Sequence, residues 1–516
     1  MTVETQARPS PAYANYVLGI LVLVYILNYI DRQILSILAE DIKRDLHMTD
    51  ADLGFLYGTA FGVFYALFGI PLGRLADNWN RVRLMSIGLS LWSIMTALSG
   101  LSKSGVHLAA ARIGVGVGEA TAGPCAYSLI SDYFPKEKRA TALGIYTSGL
   151  YLGGGLSLWL GGSIVGAWNR AFPGGGTMGL VGWQAAFMIV GIPGLILAAV
   201  VASLREPVRG AAEGLVTPTS PTPFADFIGE LLTIIPPLTL IGAARRGGMA
   251  LLINAAFACL AAVAAIVMIR LTGATLQWSV VAIGAYAVFS SASALRVRDP
   301  ATFELIWKSP AFLQVAIGYG MIAFVAYTIS FWAAPYAERV LGEPKATAGF
   351  FLGGGGALGG FLGVIIGGRL ADFWRHRHAA GRIRVILIGA LGPVLPIIIA
   401  YTTASPALFY FCSFLAQLLA STALGAAAAA TQDLVLPRMR GTATATFFIA
   451  TSLIGLAIGP YMAGFVSTVT GSLGTGVLSV LAAVPISTAL LLFAYQSVPQ
   501  AEASMVERAR AAGEPV

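Results

Sequence analysis

Charged residues are scarce in this chain, as are histidine and cysteine. Only 11% of the 516 residues are charged, whereas 57% are hydrophobic. A soluble domain carries roughly 25% charged residues, so this chain lacks the polar surface to face water on all sides. Apolar runs of about 20 residues, long enough to cross a bilayer, recur from Tyr16 to Tyr495. The composition therefore predicts an all-α polytopic membrane protein.

The few cysteines and histidines argue against metal or nucleophilic chemistry. Cys125, Cys259 and Cys412 lie in apolar runs without CxxC spacing, which favours packing over a disulfide or a metal site. No loop resembles a nucleotide-binding motif. We therefore expect no metal, no cofactor and no ATP drive, and we keep an integral membrane lipid-modifying enzyme only as a remote alternative. The four histidines fall in predicted loops or at helix ends: His47, His107, His376 and His378.

Basic residues are distributed unevenly over the predicted topology. Apart from Arg32 and Arg112, which lie inside spans, most lysines and arginines fall on the side of the termini, as the positive-inside rule requires of a cytoplasmic face. We expect a multi-pass protein of the cell (inner) membrane with both termini in the cytoplasm. We expect no signal peptide, because the segment before Tyr16 lacks a basic n-region. A surface that faces acidic lipid explains the net charge of +8 without nucleic acid. The basic residues predicted outside are Lys43, Arg44, Lys103, Arg170, Arg270, Arg339 and Lys345.

Apolar runs predict six spans in each half of the chain. A cytoplasmic tail, 1–15, precedes the N-terminal half, 16–204, and the C-terminal half, 311–496, precedes a second tail, 497–516. The N-terminal spans are predicted near 16–38, 51–76, 83–101, 106–131, 139–167 and 182–204. The C-terminal spans are predicted near 311–335, 346–371, 383–402, 406–431, 441–468 and 474–496.

A central linker and insertion, 205–310, separates the halves. It opens with a Pro/Thr-rich segment, 217–223, and continues into an apolar stretch that is broken at Pro236 and Pro237. Two further apolar runs, near 249–269 and 274–295, are each about long enough to span. We interpret them as two accessory transmembrane helices, which gives fourteen spans; a pair of interfacial or re-entrant helices is the alternative.

The two halves repeat each other. Gly-Arg-Leu-Ala-Asp occurs at 73–77 and again at 368–372, each time where an apolar span ends in a basic loop. Residues 69–83 resemble the signature loop of the major facilitator superfamily, whose plan is two six-span halves with the substrate site between them. The resemblance implies a cytoplasmic latch that breaks and re-forms as the halves rock; a topogenic basic loop is the alternative. The latch residues are Gly73, Arg74, Asp77, Arg81 and Asp132 in the first copy and Gly368, Arg369, Asp372 and Arg375 in the second.

Four charged residues lie inside predicted spans. Asp31 and Arg32, in the first span, each cost at least about 2.5–3.5 kcal/mol there, so they must face the interior of the bundle. In the fourth span, Arg112 and Glu119 share one face, two turns and about 10 Å apart. We expect Asp31 to pair with Arg112, Arg32 to point elsewhere and Glu119 to face the central cavity. Asp31 and Glu119 are thus the predicted proton-coupling residues; static charges that hold the bundle together are the alternative.

Three segments, 28–32, 76–81 and 112–120, resemble the spinster branch of the superfamily. The resemblance implies proton-linked transport of an amphipathic or lipid-like anion, such as a lysophospholipid or a sphingoid phosphate, with Arg32 and Arg112 as charge partners or anion binders. Organic-anion symporters share much of the first segment, so an organic-acid or sugar-acid:proton symporter is the alternative. We expect protons, membrane lipids and a small-molecule or lipid-like substrate as partners of a monomer, with the direction of transport left open. Candidates for lining a cavity are Tyr127, Tyr146, Tyr151, Tyr327, Trp332, Gln417 and Phe447.

Overall fold

The computed structural model describes residues 10–176, 179–210 and 220–515, and the regular structure of these ranges is helical. Most of the predicted N-terminal tail, 1–9, and the first residues of the Pro/Thr-rich segment, 217–219, lie outside the described residues. Thirteen of the described helices are long and apolar enough to cross a membrane. The prediction of an all-α polytopic membrane protein is confirmed.

The N-terminal half contains seven helices, because the fourth predicted span is divided in two at Ala120 and Thr121. The helices are α1 (Pro11–Asp45), α2 (Asp50–Asn78), α3 (Arg81–Ser99), α4 (Gly105–Glu119), α5 (Ala122–Tyr133), α6 (Lys136–Ala171) and α7 (Gly182–Ala202).

The insertion contains the two predicted long helices and a feature that the sequence interpretation missed. Two short helices precede the long pair and meet at an angle of 102°, at the Pro236 and Pro237 break. The helices are α8 (Pro223–Ile234), α9 (Leu238–Arg245), α10 (Gly248–Thr272), α11 (Thr275–Arg298) and the short α12 (Pro300–Ile306).

The C-terminal half repeats the six-span plan and ends in a short helix. Its helices are α13 (Pro310–Arg339), α14 (Lys345–Arg375), α15 (Gly381–Ala400), α16 (Pro406–Asp433), α17 (Pro437–Thr470), α18 (Leu473–Ala503) and α19 (Met505–Ala511).

A Ser-Pro pair begins three of the long helices. Ser10, Ser309 and Ser405 each accept a hydrogen bond from the main-chain N–H three residues later, and proline follows each serine at the first helical position. The serine satisfies an N–H group that has no partner within the helix, and proline has no N–H to satisfy. The residue at which each of these three helices begins is therefore determined by the local sequence.

The two halves meet along three pairs of helices: α1 with α13, α2 with α17, and α6 with α14. Glycine allows α6 and α14 to approach closely, since a Cβ on Gly155 would lie 2.6 Å from the main-chain oxygen of Gly353. In the second pair, each helix contains a π-helical segment, Phe55–Thr59 in α2 and Thr451–Leu456 in α17. Such segments widen a helix locally and are frequent at functional sites.

The insertion contacts the α2–α17 seam directly. The Thr59 hydroxyl donates to the main-chain oxygen of Ala457 at 2.5 Å, and the buried side-chain amide of Gln277 in α11 lies 2.6 Å from the same hydroxyl. The insertion therefore packs against the place where the two halves meet.

Ion pairs join the halves at one end of the bundle, which we call the outer end after the predicted orientation. Arg339 donates to Glu40 and Asp50, each at 2.6 Å, and Lys345 donates to Asp41 at 2.7 Å. At the opposite, inner end, the ion pairs found in the described ranges stay within one half or involve the insertion and the C-terminal segment. The ion pairs between the halves in the described ranges thus lie at the outer end.

We predict that Gly58→Ala destabilises the protein. A Cβ at Gly58 would lie 2.3 Å from the main-chain oxygen of Leu456, and relieving such an overlap typically costs about 1–3 kcal/mol. Thermal unfolding in detergent should show a lower Tm. The matched control is Gly69→Ala in the same helix, where a Cβ meets no atom within 4 Å; an equal fall in both variants would contradict the packing argument.

We predict that Arg339→Gln opens the outer end, because it removes the ion pairs with Glu40 and Asp50 that join the halves. In a chain whose native cysteines are replaced by alanine, Ala333→Cys on the cavity wall reports access from outside. A membrane-impermeant thiol reagent added to right-side-out vesicles should label it several times faster in the Arg339→Gln background. Arg270→Gln, which changes an exposed arginine predicted on the same side, should leave the rate unchanged.

Candidate substrate and proton site

A cavity of about 220 Å³ lies between the two halves. The N-terminal half contributes α1, α2 and α6 to its wall, and the C-terminal half contributes α13, α14 and α16. Apolar and glycine surface alternates with hydroxyl and amide groups, and Arg32 is the only charged residue among the described residues that line it. The polar lining residues that matter below are Tyr29, Arg32, Gln33, Tyr57, Tyr151, Tyr327, Ser330 and Gln417.

Arg32 connects the cavity to a buried carboxylate. Its Nη2 atom donates to Oε2 of Glu119 at 2.9 Å, and both side chains are almost fully buried. The guanidinium also lies over the rings of Tyr29, Phe61 and Tyr65, at 4.8, 4.6 and 4.8 Å from their centroids. Aromatic faces attract a cation most strongly where water is excluded, so these rings hold the guanidinium between the cavity and Glu119.

Asp31 and Arg112 form the second part of the site. Nη1 of Arg112 donates to the main-chain oxygen of Asp31 at 3.1 Å, not to its carboxylate. The carboxylate faces Trp92 and Thr96 of α3, yet its two oxygens accept no hydrogen bond from the described residues, and Nε and Nη2 of Arg112 are also without a partner. Four buried charges thus lie together with only one ion pair between them.

The predicted pairing of these charges was wrong in two respects. Arg32, which we expected to point elsewhere, makes the ion pair; the Asp31 carboxylate makes none with Arg112. Glu119, which we expected on the cavity wall, is buried behind Arg32. The reason is that adjacent residues of a helix point about 100° apart, and the ring cage directs the long Arg32 side chain, not Asp31, towards Glu119.

The predicted cavity residues divide into two groups. Tyr151, Tyr327 and Gln417 line the cavity. Tyr127, Tyr146, Trp332 and Phe447 do not, because each packs in another environment. Tyr127 and Tyr146 belong to an aromatic stack with Tyr25, Trp332 donates to the main-chain oxygen of Pro460 at 3.0 Å, and Phe447 packs behind Tyr319.

Sequence reasoning missed a polar link across the cavity. The Gln33 amide nitrogen donates to the main-chain oxygen of Ser330 at 2.8 Å, and its Oε1 accepts from the Tyr57 hydroxyl at 2.9 Å. Gln33 belongs to the N-terminal half and Ser330 to the C-terminal half. The available signal was an amide directly after Asp31 and Arg32 inside an apolar run.

The segments of the predicted latch contain an Arg–Asp ion pair in each half, and in the C-terminal half the arginine is not one of those predicted. Arg81 is buried and pairs with Asp132, and it also reaches Glu206 at 2.7 Å. In the C-terminal half the equivalent arginine is Arg382, which pairs with Asp433. In each half the arginine lies 51 residues before its aspartate, and that equal spacing is the signal that could have identified Arg382.

The remaining latch residues are placed as follows. Arg375 pairs with Glu502 and lies 3.5 Å from Asp433, while Asp372 lies 3.9 Å from Arg382. A Cβ on Gly73 would come within 3.9 Å of Pro124, and one on Gly368 would meet nothing within 4 Å. The residues Arg74, Asp77 and Arg369 lie in the last turns of α2 and α14.

Comparison with known proteins places this architecture among transporters. The solved inward-facing, unoccupied structure of a bacterial homolog of the human lysosomal transporter spinster superposes with a TM-score of 0.69 at 25% identity, covering 97% of this chain and 99% of that one. An MFS-type efflux pump of Mycolicibacterium smegmatis is 26% identical over 90% of this chain and 88% of its own length. Protein spinster homolog 1 of Xenopus tropicalis is 26% identical over 88% of this chain and 74% of its own.

The family model agrees with the structure and the relatives. Residues 21–380 match the Major Facilitator Superfamily model, which extends from the first span through the second copy of the latch loop. The chain is similar to spinster proteins along most of its length, and it belongs to the major facilitator superfamily.

Proposed function

We propose that this protein is a proton-coupled secondary active transporter that moves an amphipathic organic anion by alternating access. One observation carries the proposal: Arg32 lines the central cavity and is at the same time the ion-pair partner of the buried Glu119. A single guanidinium is therefore available to either a substrate anion or a protein carboxylate.

Competition for Arg32 supplies the coupling. When a substrate anion in the cavity binds Arg32, Glu119 loses its cation in a site without water contact, where an unpaired buried charge is costly. Uptake of a proton removes that charge. The anion and the proton consequently favour each other's binding, and a site that is accessible to one side of the membrane at a time moves them together.

Asp31 is the second proton site in this proposal. Its carboxylate has no hydrogen-bond partner among the described residues and lies next to Arg112, which has two free N–H groups. A rotation of the Arg112 side chain from the main-chain oxygen of Asp31 to the carboxylate would change the charge environment of Asp31. A partly satisfied network of this kind can adopt more than one arrangement, which a static charge cluster does not require.

The lining of the cavity supports the substrate class. One cation among tyrosine rings, glycine and apolar side chains suits a molecule with a single anionic group and an extended apolar part. Lysophospholipids and sphingoid phosphates, which the spinster resemblance implies, have this chemistry. The hydroxyl and amide groups of the lining can also bind the hydroxyls of a sugar acid, and the experiments below distinguish the two substrate classes. We propose that the monomer works in the cell membrane with both termini in the cytoplasm.

We predict that Glu119→Gln abolishes proton coupling. The amide cannot exchange a proton, so uptake of a fluorescent lysophosphatidic acid into proteoliposomes should no longer respond to an imposed pH gradient, while exchange without a gradient persists. Asp31→Asn should weaken the response in the same assay. Glu304→Gln, at a surface pair with Lys308, is the control and should behave as wild type. Unchanged pH dependence in both Glu119→Gln and Asp31→Asn would refute the coupling assignment.

We predict that Arg32→Gln selectively weakens binding of anionic substrates. Losing a charge-assisted hydrogen bond costs about 1.5–3 kcal/mol, which is roughly tenfold or more in Kd. Affinity for lysophosphatidic acid should fall by this amount, whereas affinity for a monoacylglycerol with the same chain should not. Glucuronate is the third ligand; tighter binding of glucuronate than of lysophosphatidic acid by the wild-type protein would favour the sugar-acid alternative.

A further inference from the structure

An arginine in the insertion lacks an anionic partner. Arg246 lies between α9 and α10, and its Nε and Nη2 atoms are buried without a hydrogen-bond partner. The ion pairs of the described residues include none for Arg246, although Arg298 nearby in the insertion pairs with Glu230. Burial lowers the pKa of the Arg246 guanidinium, and Tyr286 is the one group that acts in the opposite direction. A cation in this position needs a counter-ion that the surrounding protein does not provide.

Buried hydroxyl groups without hydrogen-bond partners lie on the helices next to this guanidinium. Tyr286 and Ser290 lie one turn apart on α11, both are buried, and neither hydroxyl has a hydrogen-bond partner. Thr239 of α9 is also buried and unpartnered, and it lies seven residues before Arg246. Because α9 packs against α11, both sets of hydroxyls belong to helices that adjoin Arg246, and Tyr286 interacts electrostatically with it.

The missing side chain at Gly242 shapes this region. A Cβ there would lie 3.7 Å from Nη1 of Arg246 and 2.7 Å from the main-chain oxygen of Leu232 in α8. The guanidinium thus folds back over α9, towards the angle between α8 and α9. The residue as a whole is half-buried, but Nε and Nη2 lie on its covered side, so a ligand would reach these two atoms only after the side chain turns outwards.

The donors that converge here suit one kind of ligand. A guanidinium offers two parallel N–H groups that match the oxygens of a phosphate, and hydroxyls can donate to the remaining oxygens. Nothing in the described part of the chain places a carboxylate against Arg246. Unsatisfied polar groups cost several kcal/mol each inside a bilayer, and a bound anion would remove this cost.

The surface around Arg246 indicates where the anion comes from. Ile241, Met249, Leu252 and Ile253 are all exposed, Met249 by 70%. They continue into α10, of which only 11% of the most apolar stretch is buried within the protein. A long apolar helix with so little protein contact faces lipid. An anion that binds at the end of such a helix is best supplied by the lipid itself.

We propose that Arg246, with Thr239, Tyr286 and Ser290, binds the phosphate group of an anionic phospholipid whose acyl chains lie along α10. The bound lipid holds the angled pair α8 and α9 against α11. Because α11 also packs against the seam between the halves, where a Cβ on Gly284 would lie 3.0 Å from Val63 and 3.2 Å from Leu453, the lipid stabilises the helix through which the insertion contacts the transport core.

The test is a thermal melt of the purified, delipidated full-length protein with three additives. Dioleoyl phosphatidylglycerol should raise the Tm. Dioleoylglycerol, which has the same chains without the phosphate, and inorganic phosphate, which has no chains, should not. If inorganic phosphate raises the Tm as much as phosphatidylglycerol does, the site binds a free anion and the lipid proposal is overturned. If dioleoylglycerol raises the Tm, the phosphate contact is overturned.

Two neighbouring arginines provide the matched variants. Arg246→Ala should weaken phosphatidylglycerol binding by about tenfold or more, as expected for loss of a charge-assisted contact, and native mass spectrometry should show less retained lipid. Arg245→Ala removes an exposed charge one residue away and should leave binding within about twofold of wild type. If both changes weaken phosphatidylglycerol binding equally, basic residues attract acidic lipid here without a specific site, and the proposal is overturned. If Arg246→Ala does not fold, Arg246→Lys keeps the charge without the paired N–H groups, and it should bind phosphatidylglycerol more weakly than wild type; wild-type binding would overturn the proposal.

Discussion

The ion pair between Arg32 and Glu119 constrains most of the N-terminal half. Each charge would be costly alone inside a bilayer, so the helices that carry them must approach closely enough for a 2.9 Å contact. Glycine in α4 allows this: a Cβ on Gly116 would lie 2.6 Å from the main-chain oxygen of Phe61 in α2, and one on Gly118 would lie 2.8 Å from the main-chain nitrogen of Trp92 in α3. The small residues of α4 therefore place Glu119 close to α2 and α3, within reach of the long Arg32 side chain.

The two halves contribute differently to the cavity. The four buried charges that we assign to the mechanism all lie in α1 and α4 of the N-terminal half, whereas the C-terminal half supplies tyrosine, serine, glutamine and glycine surface. The latch, in contrast, is shared: Arg81 with Asp132 and Arg382 with Asp433 occupy equivalent places at the inner end of each half. The two halves therefore both contain the Arg–Asp pair, whereas only the N-terminal half contains the four buried charges.

The outer and inner ends of the bundle are held by different kinds of contact. At the outer end, Arg339 and Lys345 connect the halves through partly buried ion pairs, which can break without loss of the fold because each partner can return to water. Along the seams, the Gly155–Gly353 approach and the π-helical segments place main chain against main chain. In the alternating-access mechanism proposed above, rocking of the halves would exchange the polar contacts at the ends, and the closely packed middle would serve as the pivot.

The sequence alone determined the fold class, the family and the identity of the charged residues. Apolar run length and charge scarcity require membrane helices, and the repeat of Gly-Arg-Leu-Ala-Asp requires two related halves. Even local details such as the Ser-Pro helix starts follow from neighbouring residues. These features depend on short-range chemistry and on the cost of charge in lipid, both of which can be evaluated without knowing which helices are neighbours.

Only the tertiary structure decided which charge meets which. The order Asp31-Arg32 fixes that the two side chains diverge by about 100°, but not which of them faces α4; that depends on the rotation of α1 and on the rings of Tyr29, Phe61 and Tyr65. The same holds for Trp332 and Phe447, which lie in the right spans but face away from the cavity, and for Arg382, whose partner is 51 residues away. Helix rotation and long-range packing cannot be predicted from the local sequence, because many side-chain pairings are compatible with the same apolar pattern.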